Sequence, residues 1–202
     1  PGSPYCSNSG SASITLAGTN GGTFTISPSE ATIDPASGTV NLAATASGTY
    51  TVTYTVAATS GCSLFSASTQ IVVNPNTWKG LISSDWHAAG NWAGTLSAGC
   101  PTITIAAGGA YNPIINSGTV SIQNLVINNG ASLTVSGGSL QIGGTITNNG
   151  KFVGSVGTVE LNGTSPQTIA ANAFYGNNLN NLIISNTSAA GVRQTVGDAS
   201  LP

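Results

Sequence analysis

The sequence predicts an all-β protein, a β-sandwich followed by a parallel β-helix (a solenoid), and three observations carry that expectation. Apolar and polar residues alternate with a period of two over residues 1–75. Beyond residue 101, apolar triplets separated by glycine- and asparagine-rich turns recur at about 20 residues, the length of one solenoid rung. Only 4% of the 202 residues are charged while 40% are hydrophobic, so the Ser, Thr, Asn and Gly that make up about half the chain read as turns and neutral surface around a packed, strand-rich interior.

In the first part, alternation marks Ser13–Leu16, Thr23–Ile26, Val40–Leu42, Tyr50–Val56 and Gln70–Val73 as half-buried strands. Turn clusters at Gly18–Gly22, Ser27–Ser29, Asp34–Gly38 and Ala46–Gly48 separate them at the spacing of a sandwich. Cys6 precedes the first strand and Cys62 falls in the penultimate turn, so a Cys6–Cys62 disulfide is expected; in the chain-entropy model such a closure contributes roughly 4 kcal/mol. Two reduced, buried thiols are the alternative, and zinc is disfavoured because neither cysteine has a nearby Cys or His to complete a ligand set. Asn74-Pro75-Asn76 marks the domain boundary, since proline ends the strand and the pattern changes after it.

The succession Pro4-Tyr5-Cys6-Ser7-Asn8, Gly21-Gly22-Thr23-Phe24, Ile33-Asp34-Pro35-Ala36-Ser37-Gly38, Gly48-Thr49-Tyr50-Thr51-Val52-Thr53-Tyr54 and Gly61-Cys62 resembles the immunoglobulin-like (PKD-like) repeats of very large secreted surface proteins of Bacteroidetes-type bacteria. The likeness covers most of residues 1–75. It implies an extracellular spacer or adhesive module, usually in tandem array and exported by a type IX-like system, without an active site.

Residues 76–100 form a tryptophan-rich linker or cap. Trp78, Trp86 and Trp92 lie there with His87 and Asp85. Two roles are open to the indoles: joining the two domains or capping the open end of the second, and stacking on sugar rings as in carbohydrate-binding modules. The Trp-x-Gly, Asp-Trp and Asn-Trp succession also resembles the lead-in to β-helical regions of the same surface proteins, which implies the cap.

Within 101–202, strands are expected at Thr102–Ile105, Val120–Ile122, Leu125–Ile127, Leu133–Val135, Leu140–Ile142, Thr145–Thr147, Lys151–Val153, Val159–Leu161 and Leu182–Ile184. Asn128-Asn129-Gly130 and Asn148-Asn149-Gly150 lie one period apart, and Asn124–Asn128 recurs as Asn181–Ser185 about three periods on. A second antiparallel sandwich is the alternative. An ice-binding solenoid would need Thr-x-Thr on one face of every rung; Thr102-x-Thr104 and Thr145-x-Thr147 qualify, whereas Ser121-x-Gln123 and Thr134-x-Ser136 break the array.

Composition also excludes function classes. Lys79, Lys151 and Arg193 are dispersed, so no basic patch meets a nucleic-acid backbone. No apolar run is long enough for a membrane span. The start at Pro1-Gly2-Ser3 reads as a processed protein or an excised piece of a longer one. The five acids, Glu30, Asp34, Asp85, Glu160 and Asp198, are too scattered for a glycosidase pair or a lyase calcium site. Glu160, between Val159 and Leu161, is expected to point outward as an isolated charge, and a calcium ion on Asp34 or Asp198 is a minor alternative. His87 has no partner for a metal site or a triad, and Cys100 has no activating base. As the odd cysteine, Cys100 is expected to be a buried thiol, a cross-link to another chain, or the partner of a cysteine in a neighbouring segment.

The expected function is therefore non-enzymatic, without catalytic residues, metal or cofactor. The chain reads as an extracellular, cell-surface structural or adhesive protein, a stalk segment of a giant adhesin or a filament subunit. Expected partners are a second copy head-to-tail, the continuation of a longer chain, or surface glycans. The first alternative is a carbohydrate-binding module built on Trp78, Trp86 and Trp92; a polysaccharide lyase-like β-helix fragment is a more distant one. A bare solenoid end at residues 196–202 is expected to need covering.

Overall fold

A computed structural model describes residues 3–7, 10–92, 100–171, 173–177 and 179–195. The protein is all-β, with 48% strand and 3% helix. It divides into two compact units, Pro1–Pro75 and Asn76–Pro202.

The first unit holds β1 (Tyr5–Cys6), β2 (Ser11–Ser13), β3 (Thr23–Ser27), β4 (Thr39–Asn41), β5 (Gly48–Val56) and β6 (Phe65–Asn74). One sheet runs β1-β6-β5-β3, with β1 parallel to β6 and the other pairs antiparallel; β2 and β4 form a second, antiparallel pair. Alternation along β5 sends Tyr50, Val52 and Tyr54 inward, where they meet Phe24, Ile71 and Val73 of their own sheet and Ala12 and Val40 of the other. Ile14 and Leu16, expected as part of a strand, instead pack half-buried against this core beyond the end of β2.

The Cys6–Cys62 bridge does not form: Cys6 and Cys100 are disulfide-bonded, and Cys62 is an exposed free thiol. The reason is strand geometry. Cys6 pairs with Asn74 at one end of β6, whereas Cys62 sits in a tight turn, bonded through its backbone to Thr59, before the other end. Ten extended residues span about 30 Å, against the roughly 7 Å Cα limit for a disulfide. Cys100, buried and bonded, is therefore not the odd cysteine; Cys62 is. Iodoacetamide applied to the native, non-reduced protein is expected to alkylate Cys62 alone, read by peptide mass spectrometry. Label on Cys6 or Cys100 would contradict the pairing.

The second unit is a β-solenoid of about 4 turns. Its elements are β7 (Thr77–Trp78), a 3-10 turn at Ala89–Trp92, β8 (Thr102–Ile105), β9 (Ile114–Ile115), β10 (Thr119–Ile122), β11 (Asn124–Ile127), β12 (Ser132–Val135), β13 (Ser139–Ile142), β14 (Ile146–Asn148), β15 (Lys151–Leu161), β16 (Gln167–Ile169), a 3-10 turn at Tyr175–Asn177, β17 (Leu179–Ile184) and β18 (Val192–Gln194). Every strand pairing among them is parallel, which removes the antiparallel alternative.

Three faces result. The first stacks β7, β8, β11 and β14; the second stacks β9, β12 and the start of β15; the third stacks β10, β13, the end of β15 and β17. The segments expected at Lys151–Val153 and Val159–Leu161 are thus one strand that turns a corner and serves two faces, with a register break between Gly154 and Thr158. Inward positions form apolar columns: Trp78–Ile105–Ile127, Leu133–Phe152, Leu140–Val159 and Ile142–Leu161, all nearly or fully buried. Each such side chain stabilises the coil by about 1.5–3 kcal/mol relative to exposure.

Asn181–Ser185 is not a later copy of Asn124–Asn128. Asn124 lies on the first face, paired with Thr102, while Asn181 lies on the third, paired with Thr158. Within the described residues no helix is long and apolar enough to cross a membrane. The expected bare end at 196–202 lies outside the described residues.

Candidate functional site

The tryptophan segment is the first rung of the solenoid. Thr77–Trp78 extends the first face alongside β8, and Asp85 bridges Ile114 on the second. Because β7 presents Trp78 inward, its indole continues the Ile105–Ile127 column, and Trp86 and Trp92 close around it. Ring centroids lie 5.0 Å apart for Trp78–Trp92, 4.8 Å for Trp86–Trp92 and 6.3 Å for Trp78–Trp86, the first two edge-on. The indole N–H groups find carbonyls: Trp78 Nε1 donates to Tyr111 O and Trp92 Nε1 to Trp86 O, both at 2.8 Å.

The three rings are 1%, 3% and 1% exposed for Trp78, Trp86 and Trp92. A sugar platform needs an open ring face, so the alternative carbohydrate-binding role of these residues is not available to them. They are a hydrophobic cap.

Asn91, indistinguishable in the sequence from an ordinary turn residue, organises this cap. It is fully buried; its Oδ1 accepts from Ile82 N (3.0 Å) and Ser83 N (3.1 Å), and its Nδ2 donates to Ser83 Oγ and Asp85 O. An amide with both ends satisfied can occupy an apolar interior without penalty. His87 stays at the surface, its Nδ1 3.5 Å from Asp85 Oδ1, with side chains about half exposed.

Outward positions of the third face carry a hydrogen-bonded column. Ser121 Oγ donates to Gln141 Oε1 (2.6 Å), Gln141 Nε2 donates to Glu160 Oε2 (2.8 Å), and Ser185 Oγ donates to Glu160 Oε1 (2.5 Å). Glu160 points outward as expected, but it is not isolated. These donors, Ser185 first and Gln141 second, hold its carboxyl below the ordinary glutamate value of 4.5. A depressed folded-state value means that the ionised form stabilises the fold above pH 4.5 and that this contribution is lost as pH falls through the lower folded value. Carboxyl-detected NMR is expected to place the Glu160 midpoint below 4.5, with Ser185→Ala moving it upward; an unmoved midpoint would sever the link to Ser185.

On the first face, Asn124 bridges rungs in the same manner. Its Oδ1 accepts from Thr145 N and Oγ1 (2.8 and 3.0 Å), and its Nδ2 approaches Thr102 Oγ1 at 3.4 Å. The two Thr-x-Thr segments do share this face, separated by Asn124-x-Val126; Ser121 and Thr134 belong to the third and second faces. Threonines 102 and 145 are thus committed to Asn124.

Asp34 Oδ1 accepts from Ser37 N (2.6 Å) and Ala36 N (3.1 Å) within its own turn, and the Ser37 amide is the main reason its carboxyl lies below its usual value. Asp198 lies outside the described residues. Among those described, no three His, Cys, Asp or Glu side chains gather as a metal-ligand group. Lys151 rests over the Tyr175 ring at 4.7 Å.

A further polar residue carries no signal in the sequence. Gln167 on β16 is 4% exposed; its Nε2 donates to Ile142 O (2.8 Å) and Gly144 O (2.9 Å), while its Oε1 accepts from Gly163 N (2.9 Å) and from the Asn186 side chain. It ties three successive rungs at one corner. No family model, curated protein or solved structure matches the chain.

Proposed function

We propose that the protein is a non-enzymatic, extracellular structural segment: an immunoglobulin-like sandwich joined to a β-helix, serving as part of a surface stalk or of a filament. One observation carries this reading. The side chains most suited to a site, the three tryptophans and Asn91, are consumed in capping the solenoid, and the outward acid Glu160 is held in a column of neutral partners.

Two features support the immunoglobulin-like kinship of the first unit. Its sheets, β1-β6-β5-β3 against β2-β4, group as the A′GFC and BE strands of such a sandwich would. The Tyr50 hydroxyl, near the start of β5, donates to Ala46 O four residues upstream (2.9 Å), as a tyrosine corner does. An oxidised Cys6 and Cys100 together with a surface nearly devoid of charge suit an oxidising exterior.

Association through the last described rung is part of this reading. Ile184 continues the inward column of Ile142 and Leu161, yet it is 57% exposed where Leu161 is 1% exposed. A following rung, from a longer chain or a second copy, would bury it.

The test is protease treatment of intact producing cells, combined with incubation of the purified chain on a polysaccharide panel. Loss of the protein from intact cells without polysaccharide turnover is the expected result. Retention inside protease-treated cells, or release of reducing or unsaturated ends, would overturn the reading.

A further inference from the structure

The corner that follows the third face differs from the outer surfaces beside it. There an open groove of about 350 Å³ runs across three rungs, lined by Ser121, Ile122, Gln123, Asn162 and Thr164. On the adjoining column Ser121, Gln141, Glu160 and Ser185 satisfy one another, and on the first face Asn124 engages Thr102 and Thr145. The amides of Gln123 and Asn162 and the hydroxyl of Thr164, by contrast, have no protein partner among the described residues, although they converge on one concave surface.

The walls are fixed from behind. Gln167 holds Gly144 O and Gly163 N, and Gly143 and Gly163 form the floor. Gly163 requires the absence of a side chain, since a Cβ there would lie 2.5 Å from the backbone Gly143 O; at Gly143 the near atom is the movable end of the Gln123 side chain, Oε1 at 2.7 Å. The backbone floor of the groove is therefore preformed, which lowers the ordering cost of binding.

From this geometry we infer that the corner groove binds a neutral sugar, one or two pyranose rings in size. Two planar amides and a hydroxyl each donate and accept, which matches vicinal hydroxyls that do the same. Ile122 lines the groove at the half-buried end of the inward Ile142–Leu161 column, so the polar side chains carry the recognition. No charged residue lines the groove, so it holds nothing to pair with a phosphate, a carboxylate or a cation, and the ionised Glu160 two residues from Asn162 disfavours acidic sugars. The volume falls at the small end of ligand pockets, which run from about 300 to 1,000 Å³. The site lies away from the buried tryptophans and gives the solenoid an adhesive surface. It does not depend on where the protein resides, because binding is measured on the isolated chain.

The experiment is an amide-detected NMR titration of the whole chain with cellobiose, lactose, mannobiose and diacetylchitobiose, and with digalacturonate as the acidic comparison. At least one neutral disaccharide is expected to give saturable shifts at residues 121–123, 143 and 162–164. The Gln123→Ala/Asn162→Ala double variant, which removes no protein hydrogen bond and so leaves the fold intact, is expected to weaken that binding by about tenfold or more. No saturable shift with any neutral sugar, shifts centred elsewhere, unchanged affinity in the double variant, or digalacturonate binding at least as tightly would each overturn the inference.

Discussion

Replacing Trp92 by alanine is expected to lower the unfolding free energy of the second unit by about 3–5 kcal/mol. The ring is 1% exposed and meets both neighbouring indoles edge-on, at 5.0 Å from Trp78 and 4.8 Å from Trp86. Such contacts add about 0.5–1.5 kcal/mol each beyond the buried area. Truncation also strips the Trp86 carbonyl of its donor inside the cap, a further cost of about 1–3 kcal/mol where water does not enter. All three tryptophans lie in Asn76–Pro202, so indole emission reports on that unit alone. Urea unfolding followed through Trp78 and Trp86 measures the loss directly. His87→Ala, in the same segment but at a side chain about half exposed, is expected to stay within about 0.5 kcal/mol. Equal midpoints for the two variants would show that the aromatic cluster does not hold the first rung.

Gln167→Leu is expected to cost the same unit about 3–5 kcal/mol, by a different physical route. Leucine preserves volume and adds apolar surface, so a pure burial argument predicts a neutral or favourable change. The amide, however, bonds Gly144 O and Gly163 N, which have no other partner among the described residues, and shares Ile142 O with the backbone amide of Asn162. Backbone groups left without partners in a dry corner set the sign. Hydrogen exchange adds a local readout: the Gly163 amide loses protection in Gln167→Leu, whereas removing the part-buried Asn186 contact leaves that amide protected. A stable Gln167→Leu with a protected Gly163 would mean that the corner is held by its strands alone.

These two residues also mark where the sequence stops being readable. The strands and their period are legible because turn chemistry punctuates them: Asn128-Asn129-Gly130 and Asn148-Asn149-Gly150 both stand at the end of a first-face strand, although Ile127 pairs with Asn148, so the two motifs stand one residue out of register. Which face a strand occupies is not legible, because all three faces demand the same alternation of inward apolar and outward polar residues. Asn-Leu-Val-Ile at 124 and Asn-Leu-Ile-Ile at 181 therefore look alike while sitting on different sides.

Lone buried amides are invisible for a related reason. Asn91 and Gln167 sit among turn-forming neighbours, and only the fold reveals the orphan backbone groups that they complete. The tryptophans stand out as a site because aromatic rings with polar neighbours serve caps and platforms equally, and burial alone separates the two. Cysteine pairing likewise depends on the length of β6, a dimension that residue spacing does not supply.

The stacking registers have one more consequence. On the third face, successive partners Thr119, Ser139, Thr158 and Asn181 are 20, 19 and 23 residues apart, yet the strands align. The coil counts its pitch at the sheets and lets its corners vary in contour length. Since lengthening a loop by a few residues changes its closure entropy by only a fraction of a kcal/mol, the corners are where insertions and deletions can accumulate over evolutionary time without dephasing the rungs above and below. The same tolerance makes those corners the natural points for grafting a foreign peptide onto the solenoid.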